Sequence, residues 1–235
     1  MNNINYIRRA SIWIFILPIV AINLCLYISI NYHLLDGTFF AVDYIGRSGS
    51  TIPYIDGGVS ISRVARTFPT FLIFKPAMFI TAYFLFIYWK KNNILIQTIE
   101  YGKEGEKKYF LIFGITSAIF LIFHSIFLGV KFDLDLYKFF RRFILIGFII
   151  FELVAQTLLV LNLIRIKNKI SKLINVQVLF LKITLVSILS IVAIISLPTL
   201  SSSGNVHFKH ALEWNYFIGI VLFYLLSFLF WKKRL

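Results

Sequence analysis

Charged residues and cysteine are both scarce in this sequence of 235 residues. Only 14% of the residues are charged, whereas about a quarter is usual in a soluble globular domain. The low charge therefore argues against a soluble protein. Cys25 is the single cysteine, so an intrachain disulfide is excluded and the redox compartment is not indicated.

Short catalytic motifs and internal repeats are also absent. The sequence has no nucleophile elbow, phosphate-binding glycine loop or zincin motif, which leaves enzyme activity undecided. A set of Ser, His and acidic residues could be drawn from almost any helical bundle and indicates nothing by itself. The lack of an inverted repeat disfavours a small-solute transporter.

Long hydrophobic segments dominate what is present. Hydrophobic residues make up 59% of the chain, and the mean hydropathy is +0.84. A helix needs roughly 20 apolar residues to cross a hydrocarbon core of about 30 Å. Because the apolar runs are continuous rather than alternating, helices are favoured over a β-barrel. We predict an all-α polytopic membrane protein, a single domain over residues 1–235, with six transmembrane helices at about 11–31, 69–89, 109–130, 139–164, 177–199 and 211–231.

The net charge of +14 comes from basic residues beside the hydrophobic segments, where topology signals and contacts with anionic lipid are expected. Nucleic acid is therefore not a predicted partner. The predicted loops on the side of the two termini hold more Lys and Arg than the other loops, so both termini are predicted to be cytosolic. Arg8 and Arg9 precede a long apolar run without a small-residue cleavage site, which is typical of an uncleaved signal anchor.

Polar residues accumulate near the predicted outer side. Lys75 and His124 lie about six residues, roughly 9 Å, inside the outer edge of their spans, and Glu213 opens the last span. A pocket that is polar at the top and open to acyl chains below suits a lipid headgroup. We therefore predict His124 and Glu213 as catalytic candidates, and as headgroup-binding residues Lys75, Arg63, Arg66, Arg141, Asn215 and Asp56.

Structural roles compete with these functional ones. Arg63 and Arg66 are spaced i and i+3 in a predicted short interfacial helix over 59–66, where arginines also act as snorkelling anchors. A histidine within a span, such as His124, more often forms a hydrogen bond to a neighbouring helix than catalyses a reaction.

Glu213 has a structural alternative of its own. If His210 is the N-cap of the last helix, Glu213 falls at position N3, where a carboxylate caps free amide groups. The spacing His207-x-x-His210-x-x-Glu213 is only a weak metal signal. Neither a metal nor another cofactor is predicted.

The predicted cytosolic half contains fewer polar residues. Glu152 and Gln156 share a helix face at i and i+4, so we predict that they are buried between helices. Lys182 lies close to the cytosolic edge of its span and is predicted to snorkel to the interface without a chemical role.

Three stretches carry a likeness to a known family. They are Pro53-Tyr-Ile-Asp56-Gly-Gly58 before the second span, Pro76 to Trp89 with its closing aromatic pair, and Ala211-Leu-Glu213-Trp214 at the start of the last span. In these stretches and in its topology the chain resembles the six-span FRAG/DRAM/SFK membrane proteins, nearest to the branch that remodels the lipid of GPI anchors. It departs from that family at Lys138-Phe-Phe-Arg141-Arg142, where a His and a small residue are usual.

The resemblance implies a lipid-handling protein of the secretory pathway, with GPI-anchor fatty-acid remodelling as the expected process. The expected partners are membrane lipid and a GPI-anchored substrate, and the expected location is the Golgi or another endomembrane. The family has no agreed catalytic centre, so enzyme activity stays open, and no oligomeric state is predicted. The alternative is a non-enzymatic regulator of membrane organisation or autophagy of the DRAM type, in which the same side chains hold the helices together.

Overall fold

The computed structural model describes residues 2–41, 51–100, 109–130, 135–201 and 204–232. Six of its helices are long and apolar enough to cross a membrane, which indicates an all-α, integral multi-pass membrane protein. Two short helices lie between the first and second of these. In chain order the helices are α1 (Asn2–Ile30), α2 (Pro53–Asp56), α3 (Ile61–Arg66), α4 (Phe71–Ile99), α5 (Tyr109–Phe127), α6 (Asp135–Ile170), α7 (Val176–Ser201) and α8 (Val206–Phe230).

Most long helices extend beyond the spans predicted from hydropathy. Helix α1 begins at Asn2 rather than near residue 11, and α4 continues to Ile99 rather than ending near residue 89. Hydropathy marks only the part of a helix that suits lipid, whereas the backbone hydrogen bonds continue until a breaker is reached. Helix α5 is shorter than predicted, because the chain turns out of the helix at Gly129, which has φ +84°.

The six long helices form a closed ring. Helix α1 packs against α4, α4 against α5, α5 against α6, α6 against α7 and α7 against α8, and α8 returns to α1. Neighbours in the ring are therefore neighbours among the long helices of the sequence, apart from the closing pair. This arrangement needs only short connections between antiparallel helices.

The two ends of the ring differ. One end, which we call the loop end, carries α2 and α3. The other, which we call the terminal end, holds the start of α1 and the end of α8, where Arg8 donates a hydrogen bond to the carbonyl oxygen of Trp231. The backbone N–H of Lys232 also donates to the carbonyl oxygen of Leu173 at 2.9 Å. Both ends of the chain therefore meet at one end of the ring, as an even number of spans requires.

Small residues allow the helices to approach closely. A Cβ atom added at Gly114 on α5 would overlap the Trp89 indole on α4, and one at Gly147 on α6 would overlap the Phe120 ring on α5. Lipid tails are as apolar as the side chains, so helix association in a membrane depends on such close packing and on hydrogen bonds.

The segment between α1 and α4 folds into the loop end. Ser60 caps α3 by accepting a hydrogen bond from the Arg63 N–H at 3.2 Å, and Val64 and Ala65 are fully buried. The Thr70 hydroxyl donates to the Val64 carbonyl oxygen at 2.5 Å. The predicted short helix near 59–66 is thus confirmed, and it packs against α1, α4 and α8.

Candidate functional site

Three side-chain hydrogen bonds join the start of α8 to the loop between α1 and α4. His210 Nδ1 donates to the Gly57 carbonyl oxygen at 3.0 Å, the Trp214 indole N–H donates to the Val59 carbonyl oxygen at 2.8 Å, and Asn215 Nδ2 donates to the Tyr54 carbonyl oxygen at 2.7 Å. We call this contact the loop–α8 junction. It consists of residues 54–59 of the loop and His210, Trp214 and Asn215 of α8.

Gly57 lies against the backbone of His207, one turn before His210 of the junction. Its φ is +59°, and a Cβ atom at this position would overlap the carbonyl oxygen of His207. Only glycine meets both conditions, because it accepts positive φ and adds no side chain. The glycine of the first-loop motif therefore brings the loop against the start of α8.

Asp56 holds the same loop in shape. Its carboxylate accepts hydrogen bonds from the Thr51 hydroxyl at 2.7 Å, the Ile52 N–H at 2.9 Å and the Gly58 N–H at 2.7 Å. These contacts give the predicted headgroup-binding residue Asp56 a role in the turn. Asn215 likewise contacts the loop backbone, at the Tyr54 carbonyl oxygen.

Glu213 does not cap its own helix. Helix α8 begins at Val206 with Asn205 as its N-cap residue, so His210 lies inside the helix and Glu213 is two turns from its start. The interpretation of Glu213 as position N3 is therefore wrong. Its carboxyl group instead interacts with the backbone amides of Ile61 and Ser62, at the start of α3.

Lys75 and His124 both lie near the loop end, closer to it than predicted. Lys75 is four residues after the start of α4, and His124 is three residues before the end of α5. Lys75 Nζ donates a hydrogen bond to the Ile126 carbonyl oxygen at 3.4 Å. This oxygen is one of the last carbonyl groups of α5, and the negative end of the helix dipole stabilises a cation there. His124 lies within electrostatic range of Arg141, and its ring forms no hydrogen bond to another described residue.

Three arginines converge on this end of α5. The Arg66 carbonyl oxygen lies 3.0 Å from where a Cβ atom at Gly129 would be. Partial burial, together with the charges of Arg141 and Arg63, lowers the pKa of the Arg66 guanidinium from its ordinary value. The charges of Arg63 and Arg141 are therefore each within electrostatic range of Arg66. We call Arg63, Arg66, Arg141 and Lys75 the cationic cluster.

Among the residues that the structure describes, no carboxylate lies within ion-pair distance of the cationic cluster; the described ion pair joins His33 to Asp36 at 3.3 Å. The cations instead contact aromatic rings. Arg141 lies 5.9 Å from the centroid of the Tyr137 ring, and Lys75 lies 5.5 Å from that of Phe71. Like charges gathered at a membrane boundary repel one another, and a bound anion relieves that repulsion.

The predicted set of Lys75, His124 and Glu213 is only partly brought together. Lys75 and His124 lie on adjacent helices at the end of α5, with Arg141 beside them. Glu213 interacts with the start of α3 instead, and its partners there are backbone groups. The structure thus places the cations and the carboxyl group in different contacts.

A second polar group lies in the half of the bundle nearer the terminal end. Glu152 is 1% exposed, as predicted, and accepts hydrogen bonds from Ser117 Oγ at 2.5 Å, from Gln156 Nε2 at 3.0 Å and from the Tyr224 hydroxyl. These partners lie on α5, α6 and α8, so one carboxyl group joins three helices.

Lys182 belongs to the same region, and the prediction that it snorkels to the interface is wrong. It is 1% exposed, and its Nζ donates to Ser227 Oγ at 2.7 Å. The Tyr88 hydroxyl lies 2.9 Å from the same Ser227 oxygen. Depth in the span suggested an interfacial lysine, but the face of α7 that carries it points into the ring. We call Ser117, Glu152, Gln156, Tyr88, Tyr224, Ser227 and Lys182 the buried polar network.

No group of three or more His, Cys, Asp or Glu side chains that could hold a metal ion occurs within the described parts of the chain. His210 and Glu213, two of the three residues in the weak metal pattern, contact the loop backbone.

No family model, curated protein or solved structure matches the chain. The likeness to the FRAG/DRAM/SFK proteins therefore stays a prediction, and functional argument rests on the geometry. Of the two polar regions, the cationic cluster can bind an anion at the membrane boundary, and the buried polar network can hold protons between helices.

Proposed function

We propose that this protein handles membrane lipid, and that the cationic cluster binds a phosphate-bearing lipid headgroup. The observation that supports this most is the gathering of Arg63, Arg66 and Arg141 at the end of α5, where no described carboxylate neutralises them. Arginine binds phosphate through paired N–H groups, and a lysine adds a point charge.

The position of the cluster suits a lipid better than a soluble anion. Arg66 is exposed at the loop end, while Lys75 lies four residues into α4 and His124 lies in the last turn of α5. A headgroup at the arginines leaves its acyl chains beside the apolar surfaces of α4 and α5. The exposed side chains of Phe79 and Phe123 lie on those helices, one turn below Lys75 and next to His124 respectively.

Lipid retention by the purified full-length protein tests this proposal. Native mass spectrometry is done after incubation with phosphatidylinositol, with inorganic phosphate as a competitor that distinguishes a lipid site from a simple anion site. Arg66→Gln with Arg141→Gln is expected to reduce retained lipid by at least roughly tenfold, because each charge-assisted hydrogen bond contributes about 1.5–3 kcal/mol.

The control is Arg9→Gln, which removes one arginine charge from an exposed position at the terminal end. It is expected to leave retention unchanged. Equal retention by the double variant and the control contradicts a headgroup site at the cationic cluster. If inorganic phosphate displaces the bound phosphatidylinositol, the cluster is an anion site without lipid specificity.

The more specific form of the proposal is GPI-anchor fatty-acid remodelling in the Golgi or another endomembrane, which rests on the family resemblance. It is tested by expressing the chain in cells that lack their GPI-remodelling factor and measuring how long GPI-anchored proteins stay at the surface. Rescue that is lost with the Arg66 and Arg141 variants supports it. No rescue by a well-expressed chain that still retains lipid rejects the GPI role and leaves headgroup binding standing.

The loop–α8 junction favours a second candidate, the non-enzymatic regulator. His210, Trp214 and Asn215 all bond to the loop backbone, and Glu213 interacts with backbone amides, so these side chains serve packing. Under this candidate, Glu213→Gln changes thermal stability but leaves the surface lifetime of GPI-anchored proteins as it is with the unmodified chain. Under a proton-transfer role it abolishes that readout while the fold is retained.

A further inference from the structure

We propose that Glu152 and Lys182 form a coupled proton-binding site inside the bundle, which holds one exchangeable proton. The site is independent of the proposed lipid function and lies in the other half of the membrane-spanning region. Its ligand is the proton itself.

Both groups are sealed between helices. Glu152 and Lys182 are each 1% exposed, and Ser117, Gln156 and Ser227 around them are fully buried. An ionisable side chain inside a membrane span is costly, and such residues commonly mark proton or ion pathways with a partner of opposite charge. Within the described residues no hydrogen bond joins Glu152 to Lys182 directly. Any electrostatic stabilisation of one group by the other therefore acts through the side chains between them.

Hydroxyl groups occupy that space. Ser227 Oγ accepts a hydrogen bond from Lys182 Nζ at 2.7 Å and lies 2.9 Å from the Tyr88 hydroxyl oxygen. The Tyr88 and Tyr224 rings meet edge to face with centroids 4.9 Å apart, and the Tyr224 hydroxyl bonds to Glu152. In a medium of low dielectric constant, a charge at one end of such a group changes the proton affinity of the other end.

The neighbours of Glu152 can serve both of its protonation states. Ser117 and Tyr224 carry hydroxyls that donate to a carboxylate or accept from a carboxylic acid. Gln156 donates through Nε2, and its Oε1 has no hydrogen-bond partner among the described residues, so a turned amide offers an acceptor to the acid form.

Aromatic rings as well as Ser227 stabilise the charged form of Lys182. Its Nζ lies 4.0 Å from the centroid of Phe223 and 5.3 Å from that of Phe230. The other titratable groups that face the couple are Tyr88 on α4 and Tyr224 on α8; in the described parts of α5 and α6 its contacts are the neutral Ser117 and Gln156. The total charge of the couple is the same whether its one proton is on the carboxyl group or on the amine.

Infrared difference spectroscopy of the full-length protein in lipid vesicles, recorded between acidic and alkaline pH, tests the proposal. A carboxylic acid carbonyl band is expected to titrate in the unmodified protein. The chain has 10 Asp and Glu residues, so the part of the band assigned to Glu152 is the component that Glu152→Gln removes. This component is expected to remain in Glu213→Gln, which removes a carboxyl group from the loop end. In Lys182→Met the band is expected to persist at pH values where the unmodified protein has lost it, because the cationic partner is gone.

Thermal unfolding gives a second, independent measure. Each single variant leaves one group without its partner, so a fall in Tm of roughly 10 °C is expected, while Glu152→Gln combined with Lys182→Met recovers most of it. Tyr224→Phe keeps both charged groups and shows whether the band moves when one donor is removed.

The proposal is overturned if Glu152→Gln removes no titrating component of the band, or if Lys182→Met leaves the midpoint of that component unchanged. It is equally overturned if the double variant loses the sum of the two single losses, because the groups are then independent. Helical circular dichroism and a single elution peak identify variants that do not fold; if a single variant fails that check, the double variant and Tyr224→Phe decide.

Discussion

Two carboxyl groups on the membrane-spanning helices have different roles because their neighbours differ. Glu213 interacts with backbone amides at the start of α3, so it serves the packing of the loop end. Glu152 accepts hydrogen bonds from side chains on three helices and belongs to the buried polar network, which also contains Lys182. At the scale of one residue, depth in the membrane does not separate these roles; the partner atoms do.

Gly57 provides the sharpest single-residue test of the loop–α8 junction. Gly57→Ala is expected to lower the free energy of unfolding by about 3 kcal/mol or more, because the added carbon meets the His207 carbonyl oxygen and the positive φ disfavours an L residue. Equilibrium unfolding in detergent measures it.

Gly37→Ala is the control for this substitution. Gly37 also has positive φ, +74°, but nothing lies within 4 Å of the added carbon, so only about 1 kcal/mol is expected. If the two variants are equally stable, the loop does not approach α8 as closely as described.

Residue-level prediction from the sequence succeeded where a pattern was local. The i and i+4 spacing of Glu152 and Gln156 placed them on one face, and the structure joins them by a hydrogen bond at 3.0 Å. The sequence did not reveal that Lys182 points inward. Its partner Ser227 lies 45 residues away on α8, so the contact is recognised only when α7 and α8 are known to be neighbours.

At the scale of the helices, α4 and α5 meet through a large and a small residue. The indole of Trp89 is fully buried against Gly114, and its ring also contacts Phe110 and Tyr224. Surrounded in this way, the indole has no room to move when a methyl group is added opposite it.

Gly114→Ala is therefore expected to destabilise the protein by about 1–3 kcal/mol, the usual cost of overpacking. The comparison is Gly219→Ala on α8, where the added carbon meets Leu189 Cδ2, the end of a flexible side chain that can turn away. Unfolding by sodium dodecyl sulfate, followed by circular dichroism, compares the two. A larger loss for Gly219→Ala than for Gly114→Ala contradicts this account of the α4–α5 contact.

At the scale of the whole molecule, the ring brings both chain ends to one end of the bundle, where Arg8 bonds to Trp231. The side of the membrane on which that end lies is a prediction from the distribution of Lys and Arg. The cationic cluster and the buried polar network occupy opposite halves, so this orientation also determines which compartment each of them faces.

Cysteine labelling in sealed microsomes tests the orientation. Cys25 is the single, buried cysteine, so Cys25→Ser gives a background without thiols. Lys169→Cys, at an exposed position in the last turn of α6, is expected to react with an impermeant maleimide from the cytosolic side. Gly204→Cys, in the connection before α8, is expected to react only after the membrane is opened. The reverse pattern places the termini on the other side.

The sequence by itself determined the all-α class, the number of membrane-spanning helices and the location of the polar layers along them. These features depend on the length and continuity of apolar runs, which are local properties of the chain. Only the tertiary structure decided which polar side chains meet. A helix turns about 100° per residue, so the direction of Lys182, Glu213 or Arg141 depends on how each helix is rotated against its neighbours, and close packing at residues such as Gly57 and Gly114 sets that rotation.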